Sequence, residues 1–177
     1  MNERIRLADY QEDLARRLQE SAGAGTVSTH VGMRSGATEW LVDLRDAQEI
    51  IPLPPITRIP LVQPWLRGLA NVRGGLITVV DFAALRGEPA TPLAMEARLL
   101  VLAPRYGVSA GLLFERSAGL VNVRGLVRAP ATSALPDWVA TAYAAHGENG
   151  KRDGNLRYEL AVESLVRSTD FLGAALH

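Results

Sequence analysis

The sequence predicts a mainly β chain built as two small β-barrels with short helices, and three observations carry that reading. From Val27 onward apolar residues tend to recur at every second position, the period of a half-buried strand. Pro52, Pro54, Pro55, Pro60 and Pro64 fall within thirteen residues, which excludes a helix and any central strand through that stretch. At Leu76 to Leu85, and again at Leu156 to Val166, an apolar strand runs straight into a short helical segment. The strands therefore divide into two sets that close alike. On periodicity alone a single α+β sandwich remains the alternative.

Taken in order, residues 3 to about 20 predict an amphipathic helix. Leu7, Tyr10, Leu14 and Leu18 follow spacings of three and four, and Glu12/Arg16 and Asp13/Arg17 are i,i+4 pairs on the outer face. Such a helix either packs on its own domain or serves as a partner-binding arm. Ser21 to Gly25 (SAGAG) is a flexible break, so residues 1–26 are set apart from a β domain over residues 27–173. His30 to Arg34 and Trp40 to Leu44 predict a hairpin about Ser35-Gly36, with Gln48 to Ile51 as a third strand. Pro52 to Pro55 reads as a stiff loop rather than a PxxP ligand.

Leu69 to Arg73 and Leu76 to Asp81 are expected to be strands about a Gly74-Gly75 turn, because glycine takes positive φ freely at both central positions. Alternation then places Ala70 and Val72 on one face and Leu69, Asn71 and Arg73 on the other. Asp81 reads as the N-cap of a one- or two-turn helix, Phe82 to Leu85, that stops before Gly87. Beyond the polar connector Glu88 to Glu96, Leu99 to Ala103 and Val108 to Phe114 make a hairpin across Pro104-Arg105-Tyr106-Gly107. Leu120 to Val123 and Leu126-Val127 continue the β pattern. Here GLVNVRG, Gly119 to Gly125, echoes GLANVRG, Gly68 to Gly74, by chance or as a trace of duplication. Pro136 opens a helical stretch over Asp137 to Ala145, and Glu148 to Asn155 is a polar loop. Leu156 to Leu160 is the last strand, with helix from about Val162 to Val166 and again near Phe171.

Composition narrows the function. Nineteen basic and nineteen acidic residues cancel in 177, so no electrostatic footprint for nucleic acid or an anionic membrane is expected. No run of about 18 apolar residues suits a bilayer. Glu3, Asp9, Glu12 and Asp13, with no apolar stretch beside them, are unlike a signal peptide. The absence of cysteine excludes disulfides and thiolate chemistry, and with the missing signal it favours the cytoplasm.

Catalysis has little to build on. His30, His146 and His177 lie far apart and read as surface or terminal residues, without partners at metal or catalytic spacing. No phosphate-cradling glycine motif is present, and Asp81 is better explained as a cap than as a catalytic carboxylate. No cofactor, metal or enzymatic activity is expected. Binding by surface remains, and Arg73 is its favoured anchor, since a guanidinium with five fixed donors grips carbonyls or a carboxylate on a partner. On spacing alone, Asn71 and Arg73 read first as a solvated strand face near a turn.

The run Pro64-Trp65-Leu66-Arg67-Gly68-Leu69-Ala70-Asn71-Val72-Arg73-Gly74, followed by Val79-Val80-Asp81, resembles the central motif of CheW-like domains. These are the adaptors that couple chemoreceptors to a histidine kinase in bacterial chemosensory arrays. The Pro-Trp start, the Ala-Asn-Val-Arg-Gly form and the N-terminal helix look most like the variant serving type IV pilus twitching motility. The resemblance is specific over roughly Glu39 to Gly87 and looser to about Phe171. It implies two five-stranded, SH3-like β-barrel subdomains with a cleft between them. It implies that Asn71, Arg73 and Gly74 contact the chemoreceptor's cytoplasmic tip. It also implies that Ala47, Glu49 and Ile50 face the regulatory domain of a CheA-type kinase. Trp65 is expected in the core or as a groove wall. Val162 stands where the family places an acidic residue after its last strand, with Glu163 one later. The alternative function, from another class, is a small-barrel module binding single-stranded nucleic acid, which the neutral charge and few aromatics disfavour.

Overall fold

A computed structural model describes residues 29–130, 135–146 and 152–174. The predicted N-terminal helix and its SAGAG break lie outside the described residues. In chain order the strands are β1 (Thr29–Ser35), β2 (Thr38–Asp43), β3 (Ala47–Pro52), β4 (Ile56–Thr57), β5 (Leu66–Val72) and β6 (Gly75–Asp81). They continue with β7 (Arg98–Leu102), β8 (Ala110–Phe114), β9 (Arg116–Asn122), β10 (Val127–Arg128), β11 (Val139–His146) and β12 (Arg152–Leu160). The helices are α1 (Phe82–Leu85), α2 (Val162–Arg167) and α3 (Thr169–Leu172).

These strands form two six-stranded sheets. The mid-chain sheet runs β3-β7-β8-β6-β5-β4, and the terminal sheet, read in the same sense, β9-β1-β2-β12-β11-β10. The orders correspond strand for strand. Each sheet has one parallel contact, β6 with β8 and β12 with β2, and in each the parallel strand leads into a short helix, α1 or α2. The sixth strand in each, beyond the five expected, is a two-residue piece, β4 or β10. The chain achieves this plan by exchanging hairpins. β1 and β2 complete the sheet made by the last strands, whereas β7 and β8 complete the one begun by β3. The repeated sequence does not follow the repeated fold. GLANVRG lies on β5 and its turn, GLVNVRG on β9, and β5 corresponds to β11. The echo is a local coincidence.

The main core joins both sheets. Trp40 of β2 meets Phe82 of α1 edge-on at 4.9 Å, Phe82 meets Phe114 of β8 at 5.0 Å, and Trp138 lies 5.6 Å from Trp40. Val31, Met33 and Val42 from one sheet and Val80, Leu100 and Leu112 from the other fill the same cluster. Because side chains alternate along a strand, the opposite face of the mid-chain sheet carries a second cluster, Ile77, Val79, Leu99, Val101 and Leu113. Trp65, half-buried, stacks on Phe171 at 6.4 Å beside the main core.

Three local expectations are corrected. The Asp137 to Ala145 stretch is not a helix but becomes β11. Its alanines favour helix, yet the strand pairs on both sides, with β10 and β12. Ala142, opposite Tyr158 in that register, is a small residue beside a ring that packs on Trp40 at 5.5 Å. Tertiary pairing overrides the local preference. β12 also starts earlier than Leu156, at Arg152, inside the stretch read as a polar loop. His30, expected at the surface, is 2% exposed in β1. The side chains of His146 and His177 are outside the described residues.

Candidate protein-binding site

The β5–β6 hairpin pairs Val72 with Gly75, so its turn is Arg73-Gly74 rather than Gly74-Gly75. Both turn residues take positive φ, 52° at Arg73 and 86° at Gly74, the pattern of a type I′ hairpin. Left-handed backbone costs a non-glycine residue about 1 kcal/mol or more. The Asn71 side chain supports the turn, its Oδ1 accepting from the Gly74 N–H at 2.9 Å. This corrects the expected face, since Arg73 leaves the Leu69/Asn71 row and projects from the tip. Ala70 is buried as the alternation requires.

Arg73 remains 79% exposed while pairing with Glu49 of β3. Its Nε and Nη2 lie 3.0 and 2.9 Å from Glu49 Oε2. The structure thus brings together residues expected to meet two different partners. Glu49 Oε1 is buried and finds no donor among the described residues. An ion pair with one exposed partner contributes at most about 1 kcal/mol, so it places Arg73 more than it stabilises the fold. Ala47 and Ile50 are half-buried and pack against the main core, while the bulge between Ala47 and Glu49 in the pairing with β7 breaks the strict alternation. Of the three β3 residues, Glu49 is the one joined to the tip.

Asp81 is fully buried and caps α1 by accepting from the Ala84 N–H at 3.2 Å. It also accepts from Arg67 Nη1, Thr91 N–H and Thr91 Oγ1, each at 2.8 Å. A carboxylate holding four donors is structural. Its partner Thr91 lies in the connector, where sequence reasoning had no signal for it. Val162 opens α2 from Ala161, which offers no side-chain cap. Beside the terminal sheet a cavity of about 410 Å³ is lined by Trp40, Trp138, Tyr158, Arg86 and Glu88 among others, and none of the six predicted binding residues borders it. Burial holds the Arg86 guanidinium below its ordinary pKa, opposed by Glu88, and the cation lies 4.8 Å from the Trp40 ring and 5.0 Å from Phe82. Among the described residues no helix is long and apolar enough to cross a membrane.

Two matching sheets with an arginine-tipped hairpin define a class. The chain belongs to the CheW-like family, whose model, the CheW-like domain, matches residues 29–168. Among curated proteins it is similar to PilI of Pseudomonas aeruginosa, 31% identical over 90 residues, covering 51% of this chain and 50% of that one. It is also similar to a probable chemotaxis protein CheW of Rhizobium etli, 29% identical over 94 residues, covering 52% of this chain and 59% of that one. The aligned part spans only about half the length of these relatives. In three dimensions it resembles the scaffolding protein TtCheW of Thermoanaerobacter tengcongensis, with a TM-score of 0.62 at 17% identity, covering 82% of this chain and 96% of that one. At that identity the likeness is one of fold.

Proposed function

We propose that this chain is a non-catalytic adaptor that couples the cytoplasmic tip of a chemoreceptor to the regulatory domain of a CheA-type histidine kinase. It would act in the cytoplasm, at membrane-bound receptor arrays, and the similarity to PilI favours an output to type IV pili. The observation that carries the reading is Arg73, held out at 79% exposure on a turn that costs energy to form and steadied by Glu49. An arginine so placed keeps donors available to a partner. Asn71, Arg73 and Gly74 form the receptor contact, and Ala47, Glu49 and Ile50 the kinase side. The Arg73–Glu49 pair joins Glu49 to the receptor contact, so binding at one part alters the electrostatics of the other. Coupling of this kind is typically worth about 1–3 kcal/mol. Arg73→Glu reverses the tip charge and opposes two carboxylates, at little cost to an exposed turn. In a pull-down with the receptor tip, the variant is expected to lose capture while its melting curve stays near that of the parent. Undiminished capture overturns the assignment.

A further inference from the structure

One face of the terminal sheet holds a titratable cluster that the adaptor reading does not use. His30 in β1, 2% exposed, places Nε2 at 3.2 Å from Glu159 Oε1 in β12. Those strands are not neighbours, because β2 lies between them. On the far side of β12, Tyr143 of β11 donates its hydroxyl to Glu159 Oε2 at 2.8 Å. Glu159 therefore ties together three strands of a six-stranded sheet, and the histidine is its link to β1.

We propose that His30, Glu159 and Tyr143 form a proton-gated latch, in which imidazolium at His30 pins β1 to β12 across β2, and loss of that proton as pH rises loosens the terminal sheet. Imidazole is the side chain whose charge changes between about pH 5 and 8, and here two carboxylates face it. Glu159 is in contact, and Asp43 of β2 is its direct cross-strand partner.

Other charged groups among the described residues lie around the cluster. Asp43 is held below the ordinary carboxylate range chiefly by its hydrogen bonds to Arg45, with the charge of His30 adding to this. On β2 and β12, Glu39 and Arg157 satisfy each other at 3.1 Å. Arg34, further along β1, bonds the Gly36 carbonyl. From β9 the residue opposite His30 is Val121, which is apolar. Arg128 of β10 adds positive charge near Glu159 and Tyr143, favouring the ionised carboxylate. Glu159 is lowered first of all by its hydrogen bond to His30, against the opposing effect of burial.

The sign follows from linkage. A proton on His30 is rewarded in the folded sheet by Glu159, and unfolding removes that reward. The contribution is present where the imidazole is charged and is lost as pH rises. At the acid end it is lost again, as pH falls through the depressed folded pKa of Glu159. One proton changes an opening equilibrium by at most about tenfold per pH unit.

The test is amide exchange of the full chain between pH 5.5 and 8.5, corrected for intrinsic rates, with the His30 ring proton followed by NMR in the same samples. Between the free-imidazole pKa, about 6.5, and the His30 titration midpoint, the opening constant of β1 and β12 amides is expected to rise by up to about tenfold per unit and to level off above that midpoint, with mid-chain sheet amides flat. His30→Gln and Glu159→Gln are each expected to flatten the slope, and a double replacement of His146 and His177 by Gln to leave it intact. A slope that survives in either latch variant, that follows the other two histidines, or that appears equally in both sheets overturns the latch. If neither latch variant folds, the wild-type chain still decides: a pH dependence that does not level off at the His30 titration midpoint refutes it.

Discussion

β8 is buried at all five of its positions, whereas β9, which begins two residues later in the other sheet, is exposed at six of seven. β8 lies inside its sheet, between β7 and β6, whereas β9 is an edge strand of the other, so position in the sheet sets part of this difference. Cover among the described residues differs as well. The mid-chain sheet buries apolar residues on both faces, in two clusters. The terminal sheet commits one face to the shared core and, among the described residues, places a polar cluster around His30 and Glu159 on the other, beside the buried Leu41. At its ends Leu120 and Val127 stay 71% and 44% exposed. A repeated fold has thus been divided into a half with apolar clusters on both faces, which carries the Arg73 tip, and a half joined partly by titratable bonds.

Equivalent truncations test this contrast most strongly. Leu113→Ala, at a fully buried site of the second cluster, is expected to cost about 3–4 kcal/mol in urea unfolding, while Leu120→Ala stays within about 0.5. Equal losses would erase the distinction. Next come the two glycines that head the echoed motifs. Gly68 has φ +135° and an added Cβ would lie 2.1 Å from the Thr57 carbonyl oxygen, whereas Gly119, φ +91°, has nothing within 4 Å. Gly68→Ala is expected to cost about 3 kcal/mol or more and Gly119→Ala about 1. Matching melting temperatures for the two would mean the β4–β5 contact yields easily. The smallest effect concerns the helix starts. Asp81 caps α1, but Ala161 leaves α2 without a side-chain cap. Ala161→Ser is expected to raise stability by about 0.5–1 kcal/mol, and a loss would show that the half-buried site has no room for a hydroxyl.

Much of this architecture was legible in the residues themselves. Alternating Ala70 and Val72, the proline run, Asp81 before Phe82, and the β7–β8 hairpin each report a local rule, and local rules hold where neighbours agree with them. Where they failed, a distant partner decided. The alanines of β11 became strand because β10 and β12 flank them. The hairpin turned at Arg73-Gly74 rather than on two glycines, set by the pairing of Val72 with Gly75 and an asparagine side chain on the Gly74 amide. His30 is inside because a glutamate 129 positions away meets it. For the binding surface, the motif pointed to Arg73 and Glu49 separately, and no spacing rule could show that they touch.

The hairpin exchange has a consequence during synthesis. The mid-chain sheet can close once Phe114 has left the ribosome, but the first hairpin made, β1–β2, needs β12 as its parallel neighbour. More than 100 residues separate them in the chain, on the order of 10 seconds of translation. For that interval the nascent polypeptide presents Val31, Met33, Trp40 and Val42 without the C-terminal strand that later covers them. Chaperones that bind exposed apolar segments therefore have their widest opportunity on this hairpin.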